Sequence, residues 1–153
     1  MSWVDDFMNA TYEPSRVVKV TKPKGKRRPE DILQEGICTF LNHALPKDAW
    51  YCSIPNGSVL RGDETQRKIQ MSRLKATGLT VGAPDLIMFY QARPYAFEVK
   101  IPTGRLSPSQ VEVAERLLKA GVRYSVITST EHLQEYLLQQ GVPLRARVGS
   151  LFK

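Results

Sequence analysis

Leu86-Ile87-Met88-Phe89-Tyr90, then Gln91-Ala92-Arg93-Pro94, then Tyr95-Ala96-Phe97-Glu98-Val99-Lys100-Ile101 is the stretch that decides the fold. Five apolar residues without interruption read as a strand covered on both faces, because a half-exposed strand would alternate. The Pro-containing tetrapeptide reads as a turn, and residues 95–101 read as a second strand, so the stretch predicts a hairpin. Downstream, Ser107-Pro108-Ser109-Gln110 opens a helix with an N-cap serine, a first-turn proline and a glutamine three residues after the cap. Val111, Ala114, Leu117 and Leu118 give that helix an apolar face, and Gly121 ends it. Residues 122–128 form a third strand. Joining it to 95–101 through the helix calls for a right-handed crossover and parallel strands. An antiparallel hairpin extended by a parallel strand makes a mixed central sheet flanked by helices, in the α/β class.

Working outward, Pro29-Glu30 begins a helix over 30–45, with Ile32, Leu33, Ile37, Phe40, Leu41 and Leu45 at helical spacing. Residues 50–54 read as a short strand stopped by Pro55-Asn56-Gly57. The polar segment 61–75 reads as a helix with Ile69, Met71 and Leu74 as its apolar anchors and Gly78 beyond its end. A last helix over 131–140 is capped by Thr130 and closed by Gly141. The organisation expected is a basic arm over 1–29, one domain over 30–140 and a basic tail over 141–153.

The 153 residues leave no room for a second full domain, and an apolar fraction of 42% can fill one core. Cys38 and Cys52 lack a CxxC partner or a His/Cys cluster, and read as thiols in a reducing compartment. The first residues carry acids where a signal peptide carries bases, and no apolar run approaches the roughly 18 residues of a membrane span, so the expectation is a cytoplasmic protein without a membrane partner. A net charge of +7 favours a polyanionic partner. Arg16, Lys19, Lys22, Lys24, Lys26, Arg27 and Arg28 follow one another without an acid. The run contains no aromatic residue to stack on bases, so a solvated linker is the plain alternative to a phosphate-binding arm.

The hairpin carries the chemistry. If Tyr90 faces Tyr95, Asp85 lies opposite Lys100 and Ile87 opposite Glu98, which places Asp85, Glu98 and Lys100 on one face. Val99 points the other way and leaves its carbonyl near the carboxylates. Two carboxylates, a carbonyl and water suit Mg²⁺ or Mn²⁺, hard ions that keep waters and accept phosphate oxygens. The lysine can stabilise charge on a phosphate or help orient the attacking water. An ordinary ion pair of Lys100 with Asp85 or Glu98 is the alternative. Against it, carboxylates at the ends of such apolar strands carry a desolvation cost that a cation would offset.

At Pro84-Asp85 and Glu98-Val99-Lys100 the chain resembles the PD-(D/E)XK nuclease superfamily, with its restriction-endonuclease-like core. The flanking residues narrow this. Gly78, Gly82-Ala83-Pro84-Asp85-Leu86, Phe97-Glu98-Val99-Lys100, Gly104-Arg105-Leu106-Ser107-Pro108-Ser109-Gln110 and Gly121 are similar to the VRR-NUC branch in its small stand-alone form found in phages and bacteria. Ala83 departs from the larger apolar residue usual there, a matter of packing. The resemblance covers about residues 30–140.

That resemblance implies a catalytic set of Glu30, Asp85, Glu98, Lys100 and Gln110, with Asp85, Glu98 and the Val99 carbonyl holding Mg²⁺ or, in its place, Mn²⁺. Glu30 with Gln34 matches the family's first-helix glutamate, and Glu35 is the reserve position. An acid in a first turn is also favoured by the helix dipole alone, and Gln110 has the competing task of completing a capping box with Ser107. The resemblance also implies DNA contacts from Asn56, Arg61, Arg67, Lys68, Arg73, Lys75 and Arg105. The activity it implies is metal-dependent cleavage of DNA by a homodimer, selective for branched duplexes and in particular four-way junctions. A flap, nicking or nonspecific nuclease and a non-cutting DNA-binding module are the alternatives, and the intact Asp, Glu and Lys set argues against the last.

Overall fold

The computed structural model describes residues 27–55 and 60–149. Asn56 and most of the basic arm lie outside them. Four strands, β1 (Ala49–Ser53), β2 (Leu86–Tyr90), β3 (Arg93–Val99) and β4 (Arg123–Ile127), form one sheet in the order β1-β2-β3-β4. The first three are antiparallel and β4 is parallel to β3, which gives the mixed α/β sheet expected. The helices are α1 (Pro29–Ala44), α2 (Glu64–Ala76), α3 (Pro108–Lys119) and α4 (Thr130–Gln139).

The hairpin differs from expectation in register. Leu86 pairs with Phe97 and Tyr90 with Arg93, so Asp85 lies level with Glu98, not Lys100. The turn is Gln91-Ala92 alone, both residues in the left-handed region at φ 48° and 58°. Such a pair is the geometry of a tight two-residue hairpin, which glycine or asparagine normally signals. Arg93 and Pro94 belong to the strand. Lys100 N–H donates toward β4 at Ile127 O (3.0 Å), so by alternation the missing N–H of Pro94 also faces β4, one residue before that pairing begins at Tyr95. A slip of two residues preserves every facing, so Asp85, Glu98 and Lys100 still share a side.

One sheet face carries Leu86, Met88, Tyr90, Tyr95, Phe97, Val99 and Ile127, and packs on Ile37, Phe40, Leu41 and Ala44 of α1 and Leu133 and Leu137 of α4. Phe97 meets Tyr136 of α4 edge to face at 5.9 Å. α3 covers the β4 side of the opposite face and buries Ala114. On the β1 side of that face the cross-strand pair Trp50 and Phe89 is exposed. The cap of α4 is Ser129, whose hydroxyl accepts from His132 N, one residue before the expected Thr130.

α2 begins at Glu64, later than expected, because Asp63 and Gln66 form a capping box there. It buries no residue and packs against no other helix or strand among the described residues. The first part of the expected tail is packed: Val142 is buried, Arg145 N donates to Ala44 O (2.7 Å), and Arg145 Nε reaches Leu45 O (2.5 Å). The backbone N–H and the guanidinium of Arg145 thus satisfy one carbonyl each at the negative end of α1. No helix among the described residues is long and apolar enough to cross a membrane.

Candidate active site

Glu98 is the one charged side chain buried among the described residues, at 1% exposure. It sits near the C-terminal end of β3, between β2 and β4. Lys100 Nζ lies 3.2 Å from its Oε1, and Gln110 Nε2 donates to the same oxygen at 2.5 Å. Oε2 is buried without a hydrogen-bond partner among the described residues. Burial, then the neighbouring charge of Asp85, push the Glu98 carboxyl up from 4.5 to about 7, and Lys100 opposes them.

Asp85 is held from two sides. Its Oδ2 accepts from Val99 N–H (2.8 Å) and its backbone carbonyl from Ile54 N–H (2.8 Å). The side chain thus takes the place of a ladder carbonyl at the end of β2 and ties its carboxylate to β3. Lys100 follows β3, and its stem runs beside Gly104, where an added Cβ would lie 3.3 Å from Cδ. Glu30, in the first turn of α1, places Oε1 3.9 Å from Lys100 Nζ. Glu35 is turned elsewhere: it pairs with Arg27 and lines a groove with Ile32, Gly36, Thr39 and Thr130. The structure therefore brings Glu30, not the reserve position, to the cluster.

Gln110 performs two tasks that the sequence sets in competition. Its Oε1 accepts from Ser107 N–H (2.8 Å) and Ser107 Oγ accepts from Gln110 N–H (3.3 Å), which closes the capping box, while its amide nitrogen serves Glu98. A primary amide has one end for each, so the cap orients the side chain that fixes Glu98. Gly82 makes this close approach possible. At φ +84° its α-carbon passes the first turn of α3, where a Cβ would stand 2.4 Å from Ser109 O.

The basic residues are dispersed. Arg67, Lys68, Arg73 and Lys75 are exposed on α2, with Lys68 paired to Glu64 at 2.6 Å, and Arg61 is exposed just before it, where its backbone is bridged by Gln70. Arg105 is exposed in the loop before α3. Since α2 packs on no other element, the structure does not join its residues to the carboxylate cluster. Asn56 lies outside the described residues. Tyr124 is a side chain that the sequence left as a strand residue. It pairs with Ala96 in the parallel ladder, which sets it on the face of Glu98, and its hydroxyl is buried without a partner. Strand alternation combined with the parallel register is the signal that finds it.

The buried carboxylate, the aspartate level with it and the adjoining lysine, at one end of a helix-covered mixed sheet, define an α/β core of the nuclease type. The VRR-NUC domain profile matches residues 40–131, and the chain belongs to that family. The match spans all four strands and contains Asp85, Glu98, Lys100 and Gln110, while Glu30 precedes it. A solved structure described as a VRR_NUC domain protein superposes with a TM-score of 0.58 at 22% identity, over 75% of this chain and 89% of that one, which establishes the shared fold. Comparison with curated proteins gives no match. Membership makes this a nuclease-type, DNA-processing domain.

Proposed function

We propose that the protein is a divalent-cation-dependent DNA endonuclease, cutting branched duplexes such as four-way junctions as a homodimer in the cytoplasm. The observation that carries the chemistry is Glu98, buried beside Asp85 with one oxygen unpartnered and the other fixed by Lys100 and Gln110. Nature rarely leaves a desolvated carboxylate oxygen unsatisfied without a use for it. No group of three acidic, histidine or cysteine side chains is gathered among the described residues. A pair of carboxylates with a backbone carbonyl is the donor set that hard cations with retained waters accept. Asp85, Glu98 and the Val99 carbonyl would hold Mg²⁺ or Mn²⁺, which supplies Lewis acidity toward a phosphate oxygen and toward water.

The protein's own groups do the rest. Gln110 and Lys100 hold Glu98 Oε1 so that Oε2 keeps one direction. Lys100, 13% exposed, offers its ammonium to the phosphate oxygen on which charge grows as the entering oxygen bonds to phosphorus and the bond to the leaving oxygen breaks. Glu30, 3.9 Å from the Lys100 ammonium, adds a second negative charge beside it. The net charge of +7 and the exposed bases of α2 and Arg105 support a nucleic-acid substrate. Two symmetric cuts on a junction need two sites, which a twofold dimer supplies.

The test is cleavage of four-way, flap and linear duplex DNA with Mg²⁺, Mn²⁺, Ca²⁺ or excess chelator. Paired cuts in the junction with Mg²⁺ or Mn²⁺ are expected, with Ca²⁺ supporting binding but no comparable cutting because its looser coordination activates water less. Full activity in chelator would overturn the cation requirement, and equal cutting of linear duplex would overturn the branched-DNA selectivity. Sedimentation should give a dimer at assay concentration, and a monomer that cuts the junction on both sides would refute that part.

A further inference from the structure

We propose that Tyr124 is a positioning residue of this site, its phenol O–H donating to a water that in turn donates to the free oxygen of Glu98. The inference rests on the nuclease reading above and adds a residue to it. β4 pairs Tyr124 with Ala96 and Val126 with Glu98, so Tyr124 and Glu98 lie on one face, one alternation apart. Ala96, level with Tyr124 and two residues before Glu98, has a small side chain and is fully buried. Two buried oxygens on this face lack partners, Tyr124 Oη and Glu98 Oε2. One can donate and the other only accepts when ionised, so a single water between them completes both. Burial pushes the phenol up to about 12, with Glu98 and Asp85 adding to the shift, so the hydroxyl keeps its proton and remains a donor beside the carboxylates.

Tyr95 provides an internal control. Its hydroxyl is also buried without a partner, but Tyr95 is on the opposite face, in the core between Phe97 and the Arg123 guanidinium. If an unpartnered phenol is only a packing defect, Tyr95 and Tyr124 should behave alike when the oxygen is removed. If Tyr124 Oη has a task at the site, they should part.

The experiment compares the wild-type chain, Tyr124→Phe and Tyr95→Phe by thermal melting, by kcat and KM on a DNA junction with Mg²⁺, and by the rise in melting temperature on adding Mn²⁺ alone. Tyr95→Phe should melt at or above the wild-type temperature in chelator, since it loses an unsatisfied buried group, and Tyr124→Phe should remain folded within a few degrees of wild type, since the phenol oxygen and its bridging water leave together. Tyr124→Phe should lose about tenfold or more in kcat with KM within about twofold, and should need several-fold more Mn²⁺ for half of the melting shift. Tyr95→Phe should match wild type in kcat and in Mn²⁺ response. Tyr124→Phe with wild-type kcat and Mn²⁺ response overturns the inference, as does an equal loss in both variants. Wild-type protein that neither cuts nor responds to Mn²⁺ overturns the nuclease reading itself, and the inference with it.

Discussion

Replacing Glu98 by glutamine removes a buried charge and keeps the side-chain shape, including an oxygen for Gln110 to donate to. The folded carboxyl lies at about 7 against an ordinary 4.5, and at about 1.4 kcal/mol for each tenfold change in proton affinity this corresponds to about 3 kcal/mol. Between those two pH values the folded chain holds a proton that the unfolded chain has lost. Stability is therefore undiminished below pH 4.5, falls as pH rises toward 7, and stays lowered above it. Urea melts in chelator at pH 5, 6, 7 and 8 should show Glu98→Gln gaining about 2–3 kcal/mol on the wild type across the series. The variant should at the same time lose DNA cleavage, so that greater stability accompanies lost activity. A difference between the two proteins that stays flat from pH 5 to pH 8 would refute the assignment of Glu98 as a desolvated carboxylate.

Asp85→Ala and Lys100→Ala should each lower the cleavage rate about 10²-fold or more in a folded protein, and a folded Asp85→Ala chain that cuts normally would remove the proposed site. Gly82→Ala should destabilise the domain and displace Gln110, because the new methyl meets Ser109 O at 2.4 Å on a left-handed backbone. Circular dichroism melts check the first effect and kcat the second, and an unchanged melt would show that the loop moves aside freely. Removing residues 1–28, with their seven basic side chains between Arg16 and Arg28, should flatten the slope of log affinity against log salt by roughly 3–4 if four of them contact duplex phosphates. Turnover at saturating DNA should change far less, and an unchanged slope would make the arm a solvated linker.

The elements whose residues satisfy packing and capping together were legible in sequence. Ser107-Pro108-Ser109-Gln110 announced α3, and the unbroken run 86–90 announced a strand, though the cover expected on both its faces fails at Phe89, which stays 45% exposed because no helix among the described residues lies over the β1 side of that face. The hairpin register was not legible, since Gln91-Ala92 has no glycine or asparagine to advertise a two-residue turn, while Pro94 reads as a turn residue unless the neighbour of its missing N–H is known. The error did little harm because a slip of two preserves the face, so the grouping of Asp85, Glu98 and Lys100 survived it. The double duty of Gln110 was hidden for another reason: spacing shows which groups compete for a side chain, but only geometry shows that its two ends point to different partners. Tyr124 was hidden because its place depends on a parallel pairing between residues far apart in sequence.

α2 contributes nothing to the core. Mutations along its outer surface therefore face almost no filter from folding, whereas nearly every change in β3 does. A domain built this way keeps a catalytic centre that drifts slowly and a projecting helix that can diverge quickly. Libraries randomised at Arg67, Lys68, Arg73 and Lys75 should stay folded at high frequency. Those positions are where a new substrate preference could be selected without reopening the sheet.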